Sequence, residues 1–263
     1  MDLGLRERVA LVGGSSRGIG RAVAARLAQE GARVAICARG GGALLTTAEE
    51  IRARTGADVL ALEADLRSAE DVTRLIAQVM DWHGRLDVLV ANAGGPPYAA
   101  FSALRPEAWD ESYRLVLRST ILLCREAIPH MTARRWGRIV AIGSVTAKQL
   151  IPGLTTSTVM RAAVVGLTKT LAQELAPHEI TVNAVCPGYV GTEKFFENVG
   201  ARAAQTGVSL TEAVASVERR VPLGRVGRPE GVAALVTFLA SELAGYVTGT
   251  MMPVDGGFIQ AVM

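Results

Sequence analysis

Aromatic residues and cysteines are scarce in this 263-residue sequence: 5% of the residues are aromatic, and three are cysteines. Cys37, Cys124 and Cys186 lie far apart, each in an apolar stretch, and no C-x-x-C pair occurs. This spacing argues against a zinc site and against a disulfide framework. We therefore expect buried free thiols, no bound metal, and a protein of the reducing cytoplasm.

Long apolar runs and long runs of one charge are missing as well. The longest apolar stretches, such as 232–240, are far shorter than the roughly 20 residues of a membrane helix. Residues 1–7 do not have the pattern of a secretory signal. No five like charges follow one another, and 28 basic residues nearly balance 25 acidic ones. These absences argue against a membrane span and against a nucleic-acid partner.

Short apolar runs alternate with longer stretches of helical periodicity along the whole chain. Because the runs are almost continuously apolar, they are typical of strands covered on both faces. The alternation predicts an α/β fold: a single doubly wound Rossmann domain over residues 1–263, with helices on both faces of a mostly parallel, about seven-stranded sheet. The predicted strands are Arg8–Val12, Arg33–Ala38, Val59–Leu62, Leu86–Ala91, Arg138–Ile142, Thr181–Val185 and Thr250–Val254.

One segment, 192–229, interrupts this alternation. It contains no predicted strand, and two helical pieces, at about 193–204 and 211–219, flank Gly207. Ser209 and Glu212 have the spacing of a capping box at the start of the second piece. We interpret 192–229 as a substrate loop or lid, and a packed excursion at a subunit interface is the alternative.

A glycine-rich loop follows the first predicted strand and precedes a predicted helix. Glycines permit a tight turn, and they let backbone N–H groups at the helix N-terminus approach a pyrophosphate. Although the spacing differs from G-x-G-x-x-G, its position between strand and helix predicts a dinucleotide site. The predicted contacts in this loop are Gly14, Ser16, Arg17, Gly18, Ile19 and Gly20.

The end of the second predicted strand indicates which dinucleotide binds. An NAD site usually has an acid here that accepts a hydrogen bond from the ribose 2′-hydroxyl. This chain has Arg39 instead, Arg17 lies in the glycine loop, and no acid follows before Glu49. Two guanidinium groups suit a 2′-phosphate. The sequence therefore predicts NADP(H), although Arg39 on its own could simply be an exposed residue.

Further motifs follow the later strands in order, and together the series resembles the short-chain dehydrogenase/reductase family over almost the whole chain. The motifs are the glycine loop, Asp65-Leu66, Asn92-Ala93-Gly94, Ser144, Pro187-Gly188, and the segment from Tyr246-Val247-Thr248-Gly249 to Val254-Asp255-Gly256-Gly257. The resemblance implies that Asp65 and Leu66 flank the adenine and that Asn92, Ala93 and Gly94 form the cofactor wall. It places Pro187, Gly188, Val190 and Thr192 near the nicotinamide.

The same resemblance implies a catalytic Ser, a Tyr-x-x-x-Lys motif and an Asn on the preceding long helix. Ser144 matches the serine, but Ser157 stands where the tyrosine is expected, Arg161 where the lysine is expected, and Val116 where the asparagine is expected. No neighbouring register restores the motif, because no tyrosine lies between Tyr113 and Tyr189. We therefore expect an atypical site of Ser144, Ser157 and Arg161, in which Arg161 also contacts the cofactor ribose.

The missing phenol matters because tyrosine titrates near about 10 and a cation can lower that value, whereas a serine hydroxyl is a far weaker acid. Lys148, four residues after Ser144, is a candidate substitute acid or base if it is desolvated. Tyr98 and Tyr189 are candidate phenols. For all three, an ordinary surface or packing role is the alternative.

Three functions are compatible with these residues. The first is an NADP(H)-dependent oxidoreductase that reduces a small-molecule carbonyl of the 3-oxoacyl or small-ketone class. The second is a non-redox isomerase or lyase in the same pocket, and the third is a catalytically silent NADP-binding sensor or partner subunit. The resemblance also implies a homodimer or homotetramer with Tyr246–Met263 at a subunit contact.

Overall fold

A single parallel sheet forms the centre of the computed structural model, which describes residues 1–262. Within these residues the sheet has seven strands, β1 Val9–Val12, β2 Arg33–Ala38, β3 Val59–Glu63, β4 Val88–Ala91, β5 Gly137–Ile142, β6 Ile180–Pro187 and β7 Met251–Val254. Their order is β3-β2-β1-β4-β5-β6-β7, and every neighbouring pair is parallel. The predicted Rossmann-type α/β fold is confirmed. Met263, included in the predicted domain, lies outside the described residues.

Helices cover both faces of the sheet. Their bounds are α1 Gly18–Gln29, α2 Gly41–Thr55, α3 Ala69–His83, α4 Pro106–Ser112, α5 Ser119–Arg134, α6 Thr155–Leu175, α7 Glu193–Thr206, α8 Leu210–Glu218 and α9 Pro229–Leu239. One core contains Val23, Leu44 and Val236 from α1, α2 and α9, and the other contains Leu75, Leu123 and Ala172 from α3, α5 and α6. Alternate residues of β1 belong to different cores, as expected for a strand between two helical layers.

The strand order reverses direction at β1, because β2 lies on one side of it and β4 on the other. In open parallel sheets, this reversal opens a crevice at the carboxyl ends of the two central strands. The glycine loop follows β1, and Asn92 follows β4 directly. The fold therefore brings two of the predicted cofactor motifs to one crevice.

Helices α3 and α8 each begin at a serine N-cap, and the cap at Ser209 was predicted from the sequence. Ser68 accepts a hydrogen bond from the Asp71 N–H, and Ser209 forms a complete capping box with Glu212. Asp71 departs from the capping-box pattern, because its carboxylate accepts from the Asp65 N–H at 2.8 Å. This bond ties the start of α3 to the turn that follows β3.

The cysteines are free and buried, as expected. Burial raises the pKa of Cys37 and Cys124 to about 12 and that of Cys186 to about 11, so the thiols stay protonated at neutral pH. Among residues 1–262, no group of three metal-ligating side chains lies close enough together to hold a metal ion. None of the helices in that range has both the length and the apolar composition needed to cross a bilayer.

Candidate functional site

The glycine loop is closed tightly enough to exclude side chains from its inner surface. A Cβ on Gly20 would lie 2.3 Å from the carbonyl oxygen of Gly14. Gly14 and Gly18 have φ values of 57° and 58°, in the left-handed region that favours glycine. Ile19 packs against the core at the start of α1. The loop therefore presents backbone rather than side chains to the crevice, which is what a close-approaching pyrophosphate requires.

Asn92 supports this loop from the neighbouring strand. Its Nδ2 donates to the carbonyl oxygens of Gly13 and Gly14, at 2.9 Å and 3.3 Å. The side chain is 9% exposed. Thr47 of α2 adds a contact that the sequence did not indicate, because its Oγ1 donates to the carbonyl oxygen of Ser16 at 3.1 Å. The shape of the loop is thus held by residues that come from two other elements.

The residues predicted to flank the adenine, Asp65 and Leu66, make contacts within the protein that the sequence did not indicate. Asp65 is bound by Arg67, whose Nη2 lies 2.6 Å from one carboxylate oxygen, and this contact holds the pKa of Asp65 below its ordinary value. Arg67 also pairs with Glu111. Leu66 is buried, beneath Gly13. The only sequence signal for this pairing is an arginine two residues after an aspartate.

Arg39 is exposed at the end of β2, where it lines a cavity of about 400 Å³ together with Glu63, Asp65, Asp71 and Arg74. Glu63 ends β3 and pairs in register with Ala38. Glu63 was not predicted at this site, because it lies far beyond Arg39 in the sequence and only the pairing of β3 with β2 brings it beside Arg39.

Arg17 points from the glycine loop to helix α7. Its Nη1 lies 2.7 Å from Oε1 of Glu197, and the same carboxylate lies 3.5 Å from Nζ of Lys194. The Arg17 hydrogen bond holds the pKa of Glu197 below its ordinary value. A direct link between the glycine loop and segment 192–229 was not predicted.

The residues expected near the nicotinamide lie at the end of β6 and the start of α7. Pro187 is the last residue of β6, and Gly188 packs so closely on Asp255 that a Cβ would lie 2.8 Å from the Asp255 Cβ. Val190 is buried and bridges to Gly227. Thr192 caps α7, and its methyl group would lie 3.2 Å from a Cβ on Gly18. Segment 192–229 thus starts against the glycine loop.

Ser144 and Ser157 are brought close together by the turn after β5 and the first turn of α6. Ser144 accepts a hydrogen bond from the Thr146 N–H, and the Thr146 hydroxyl lies 3.4 Å from the Ser157 hydroxyl. Thr146 and Ser157 are buried. Thr146 was not singled out from the sequence, and it forms the link between the two serines.

Arg161, one turn further along α6, is buried at the carboxyl ends of β4 and β5. Its Nη1 donates to the carbonyl oxygen of Ile142, and its Nη2 lies 3.5 Å from that of Gly94. Within residues 1–262, Arg161 forms no ion pair with an acidic side chain, and its Nε is buried without an acceptor. Burial lowers the pKa of Arg161 to about 10, so the group stays charged at neutral pH.

A π-helical turn, Tyr113–Arg118, joins α4 to α5 and contains Val116. Val116 is buried and packs beside Met160 and Val164 of α6. The Thr120 hydroxyl donates to the Val116 carbonyl oxygen at 2.8 Å. An apolar contact between the two long helices therefore occupies this position.

In the described part of the chain, none of the three substitute candidates forms a hydrogen bond with Ser144 or Ser157. Lys148 is exposed, and among the described residues its ammonium has no hydrogen-bond or ion-pair partner. The Tyr98 hydroxyl donates to the Pro152 carbonyl oxygen. Tyr189 packs edge-on against Phe258 at 5.2 Å between ring centroids, and burial raises its pKa. A raised pKa makes a phenol a poorer acid at neutral pH.

Comparison with known proteins decides the family. A family model described as "Enoyl-(Acyl carrier protein) reductase" matches residues 14–259. The 3-oxoacyl-[acyl-carrier-protein] reductase FabG of Aquifex aeolicus is 37% identical over 257 residues, which cover 98% of this chain and 99% of that protein. The chain belongs to the short-chain dehydrogenase/reductase family. The FabG protein of Haemophilus influenzae is 36% identical over 253 residues, 96% of this chain and 98% of its own.

Solved structures of family members agree with the fold over the full length. L-sorbose reductase from Gluconobacter frateurii, complexed with NADPH and L-sorbose, has a TM-score of 0.96 at 31% identity and covers 100% of both chains. A single-residue variant of actinorhodin polyketide ketoreductase, with NADPH, has a TM-score of 0.93 at 37% identity and covers 97% of this chain and 98% of its own. The resemblance noted in the sequence is therefore confirmed at the level of family and fold.

Proposed function

We propose that this protein is an NADP(H)-dependent oxidoreductase that reduces a carbonyl of the 3-oxoacyl or small-ketone class, with a catalytic site that lacks the usual tyrosine and lysine. The observation that carries the proposal is the cofactor crevice: a glycine loop that a single Cβ on Gly20 would obstruct, supported by Asn92 from the next strand. A backbone free of side chains at the N-terminus of a helix is what the close approach of a pyrophosphate requires.

The proposed cofactor is NADP(H), held by the glycine loop and by the guanidinium groups of Arg39 and Arg17. Both side chains are exposed at the edge of the crevice, and both carry the charge that a 2′-phosphate requires. NADPH is present in the L-sorbose reductase and actinorhodin ketoreductase structures, which share this fold. Two of the similar proteins are named 3-oxoacyl reductases, which supports the substrate class.

We expect Arg39→Ala to weaken NADPH binding about 10- to 100-fold and to leave NADH binding unchanged, because only NADPH loses a charge-assisted hydrogen bond. Titration of nucleotide fluorescence measures both dissociation constants. Arg54→Ala, an exposed arginine of α2 without a partner role in the crevice, is the matched control. Equal affinities of the unaltered protein for NADPH and NADH would contradict the proposed cofactor preference.

The reacting end needs a proton as well as a hydride. When bound, NADPH would supply a hydride for the carbonyl carbon, and the carbonyl oxygen would then need a proton. Ser157 stands where the family has its tyrosine, and its hydroxyl is a far weaker acid than a phenol. Arg161 stays charged, so it stabilises a developing alkoxide electrostatically but transfers no proton. We propose that water supplies the proton beside Ser144 and Ser157.

This site is expected to turn over slowly. Loss of a general acid typically lowers the rate by about 10²- to 10⁴-fold. Consumption of NADPH, followed by its absorbance with 3-oxoacyl thioesters and small ketones, measures the rate, and Ser144→Ala serves as a control for a contaminating reductase. A turnover of ordinary enzymatic size, about 10 s⁻¹ or more, would show that another group donates the proton efficiently.

A second candidate function is a catalytically silent NADP-binding protein, a sensor or a partner subunit. It is favoured by one observation: the position of the family's asparagine, Val116, is filled by an apolar contact with α6 rather than by a polar group. Cofactor binding without carbonyl reduction across the panel would select this function over the reductase.

We also propose that segment 192–229 is a lid over the substrate and that the protein self-associates. The base of the segment is closed by backbone hydrogen bonds between Gly191 and Gly227 and between Gly227 and Tyr189, so its two ends are anchored together. Near the chain end, Tyr246 is fully exposed and Leu243 is 52% exposed, which supports a subunit contact there. Light scattering of the purified protein tests the oligomeric state.

A further inference from the structure

We propose that Glu197 of α7 is a specificity-determining residue for the cofactor: its carboxylate competes with the 2′-phosphate of NADP(H) for the guanidinium of Arg17. The strength of the preference for NADPH over NADH would then depend on a residue of the lid as well as on the glycine loop. This inference rests on the proposed NADP(H) site.

The geometry that supports it is a direct contact between two parts of the site. Arg17 Nη1 lies 2.7 Å from Glu197 Oε1, although the residues are 180 positions apart in the sequence. Thr192, which caps α7, lies against Gly18 of the same loop. The start of α7 is therefore held against the glycine loop by one packing contact and one ion pair.

The charges of the Glu197 carboxylate and of the 2′-phosphate explain why the two groups compete for Arg17. Glu197 is negatively charged at neutral pH, as an ordinary glutamate is, and Arg17 and Lys194 hold its pKa still lower. The 2′-phosphate carries up to two negative charges, and a carboxylate beside it is repelled. This repulsion favours the displacement of Glu197 when a phosphate binds Arg17, and Glu197 then keeps Lys194 as a partner at 3.5 Å on its own helix. NADH has no 2′-phosphate and leaves the ion pair intact.

The solvent exposure of Arg17 and Glu197 sets the expected size of the change in NADPH affinity. Arg17 and Glu197 are 53% and 48% exposed at their side chains, so solvent screens the pair. Exposed pairs typically alter an equilibrium by about two- to fivefold. We therefore expect Glu197→Gln to tighten NADPH binding about two- to fivefold without altering NADH binding.

The test is a double-mutant cycle on binding, not on turnover. Dissociation constants for NADPH and NADH are measured by fluorescence titration for the unaltered protein, Glu197→Gln, Arg17→Ala and the double variant, at low and at physiological ionic strength. Glu50→Gln is the matched control, because Glu50 forms a similarly exposed pair with Arg21 at 3.3 Å on the same helix layer. Thermal unfolding of each variant verifies that the fold is retained.

The inference predicts three results together: tighter NADPH binding in Glu197→Gln, no change in Glu50→Gln, and loss of the Glu197 effect when Arg17 is absent. It is overturned if the protein prefers NADPH but Glu197→Gln leaves that preference unchanged. Equal tightening by Glu50→Gln also overturns it, because general charge would then explain the effect. If the unaltered protein shows no preference between the two nucleotides, the proposed NADP(H) site fails first.

Discussion

Ser157→Tyr combined with Arg161→Lys is expected to raise the rate of carbonyl reduction by about 10²- to 10⁴-fold, the usual contribution of a positioned general acid. Ser157 lies beside Thr146 and, through it, next to Ser144, so a phenol at this position would stand near the family's serine. Lysine at 161 would place an ammonium where the buried guanidinium now lies. The measurement is NADPH consumption with a 3-oxoacyl thioester.

The matched control is Ser157→Phe combined with Arg161→Lys, which adds the same ring without its hydroxyl. A gain in the tyrosine variant alone would assign the effect to the acidic hydrogen. If neither variant gains activity, the triple variant that adds Val116→Asn tests the remaining position. No gain in that variant, with cofactor binding retained, would contradict a reductase site that is limited only by its missing acid, and it would favour the silent NADP-binding function.

Arg161→Met is expected to increase the free energy of unfolding by about 1–3 kcal/mol. Burial lowers the pKa of Arg161 to about 10, so the folded protein holds this proton less tightly than the unfolded chain does. The resulting cost is fully present below pH 10 and disappears as the pH rises above it. Removing the charge removes the cost, partly offset because the carbonyl oxygens of Ile142 and Gly94 lose a donor. Urea unfolding at neutral pH measures the change.

Arg138→Met is the control variant, and we expect it to change the free energy of unfolding in the opposite direction. Arg138 is 4% exposed, yet its guanidinium donates to the carbonyl oxygens of Ser241, Gly137 and Glu179 at 2.9–3.2 Å. Its Nη2 also lies 3.8 Å from the carboxylate of Glu242. Burial lowers the pKa of Arg138 as well, but its guanidinium has several acceptors and a carboxylate nearby, so Arg138→Met should lower the free energy of unfolding by about 1–3 kcal/mol. An equal loss of stability in both variants would show that Arg161 is an ordinary structural residue.

An Arg161→Met variant that is more stable but binds the cofactor less well would indicate that Arg161 is kept for cofactor binding. Groups that are kept at a cost to stability are typically kept for function. Within residues 1–262, Arg161 has no acidic partner, unlike Arg67, which binds two carboxylates. The absence of a partner is what makes Arg161 available to a ligand or to a developing charge.

Much of the fold could be predicted from local pattern. The continuously apolar runs predicted each strand to within a few residues, because a parallel sheet covered on both faces leaves no polar face to interrupt them. The glycine loop was predicted for a similar reason, since its φ values and close approach are requirements of the backbone at single positions. Helix caps such as Ser209 with Glu212 are also local.

The site was less predictable where partners come from distant elements. Glu63 lies beside Arg39 only because β3 pairs with β2, and Thr47 supports Ser16 only because α2 packs near the glycine loop. The π-helical turn at Tyr113–Arg118 had no signal in the apolar periodicity, since one added residue per turn alters the register of side chains and not their composition.

By itself, the amino-acid sequence determined that a glycine loop lies between the first strand and the first helix and that no tyrosine lies between Tyr113 and Tyr189, because these are properties of residues at fixed positions along the chain. Only the tertiary structure decided that Arg161 is buried between strand ends with no acidic partner among residues 1–262 and that Arg17 is already paired with Glu197. Burial and ion pairing depend on which elements meet in space, and these neighbours set the pKa of a charged group and the partners that it binds.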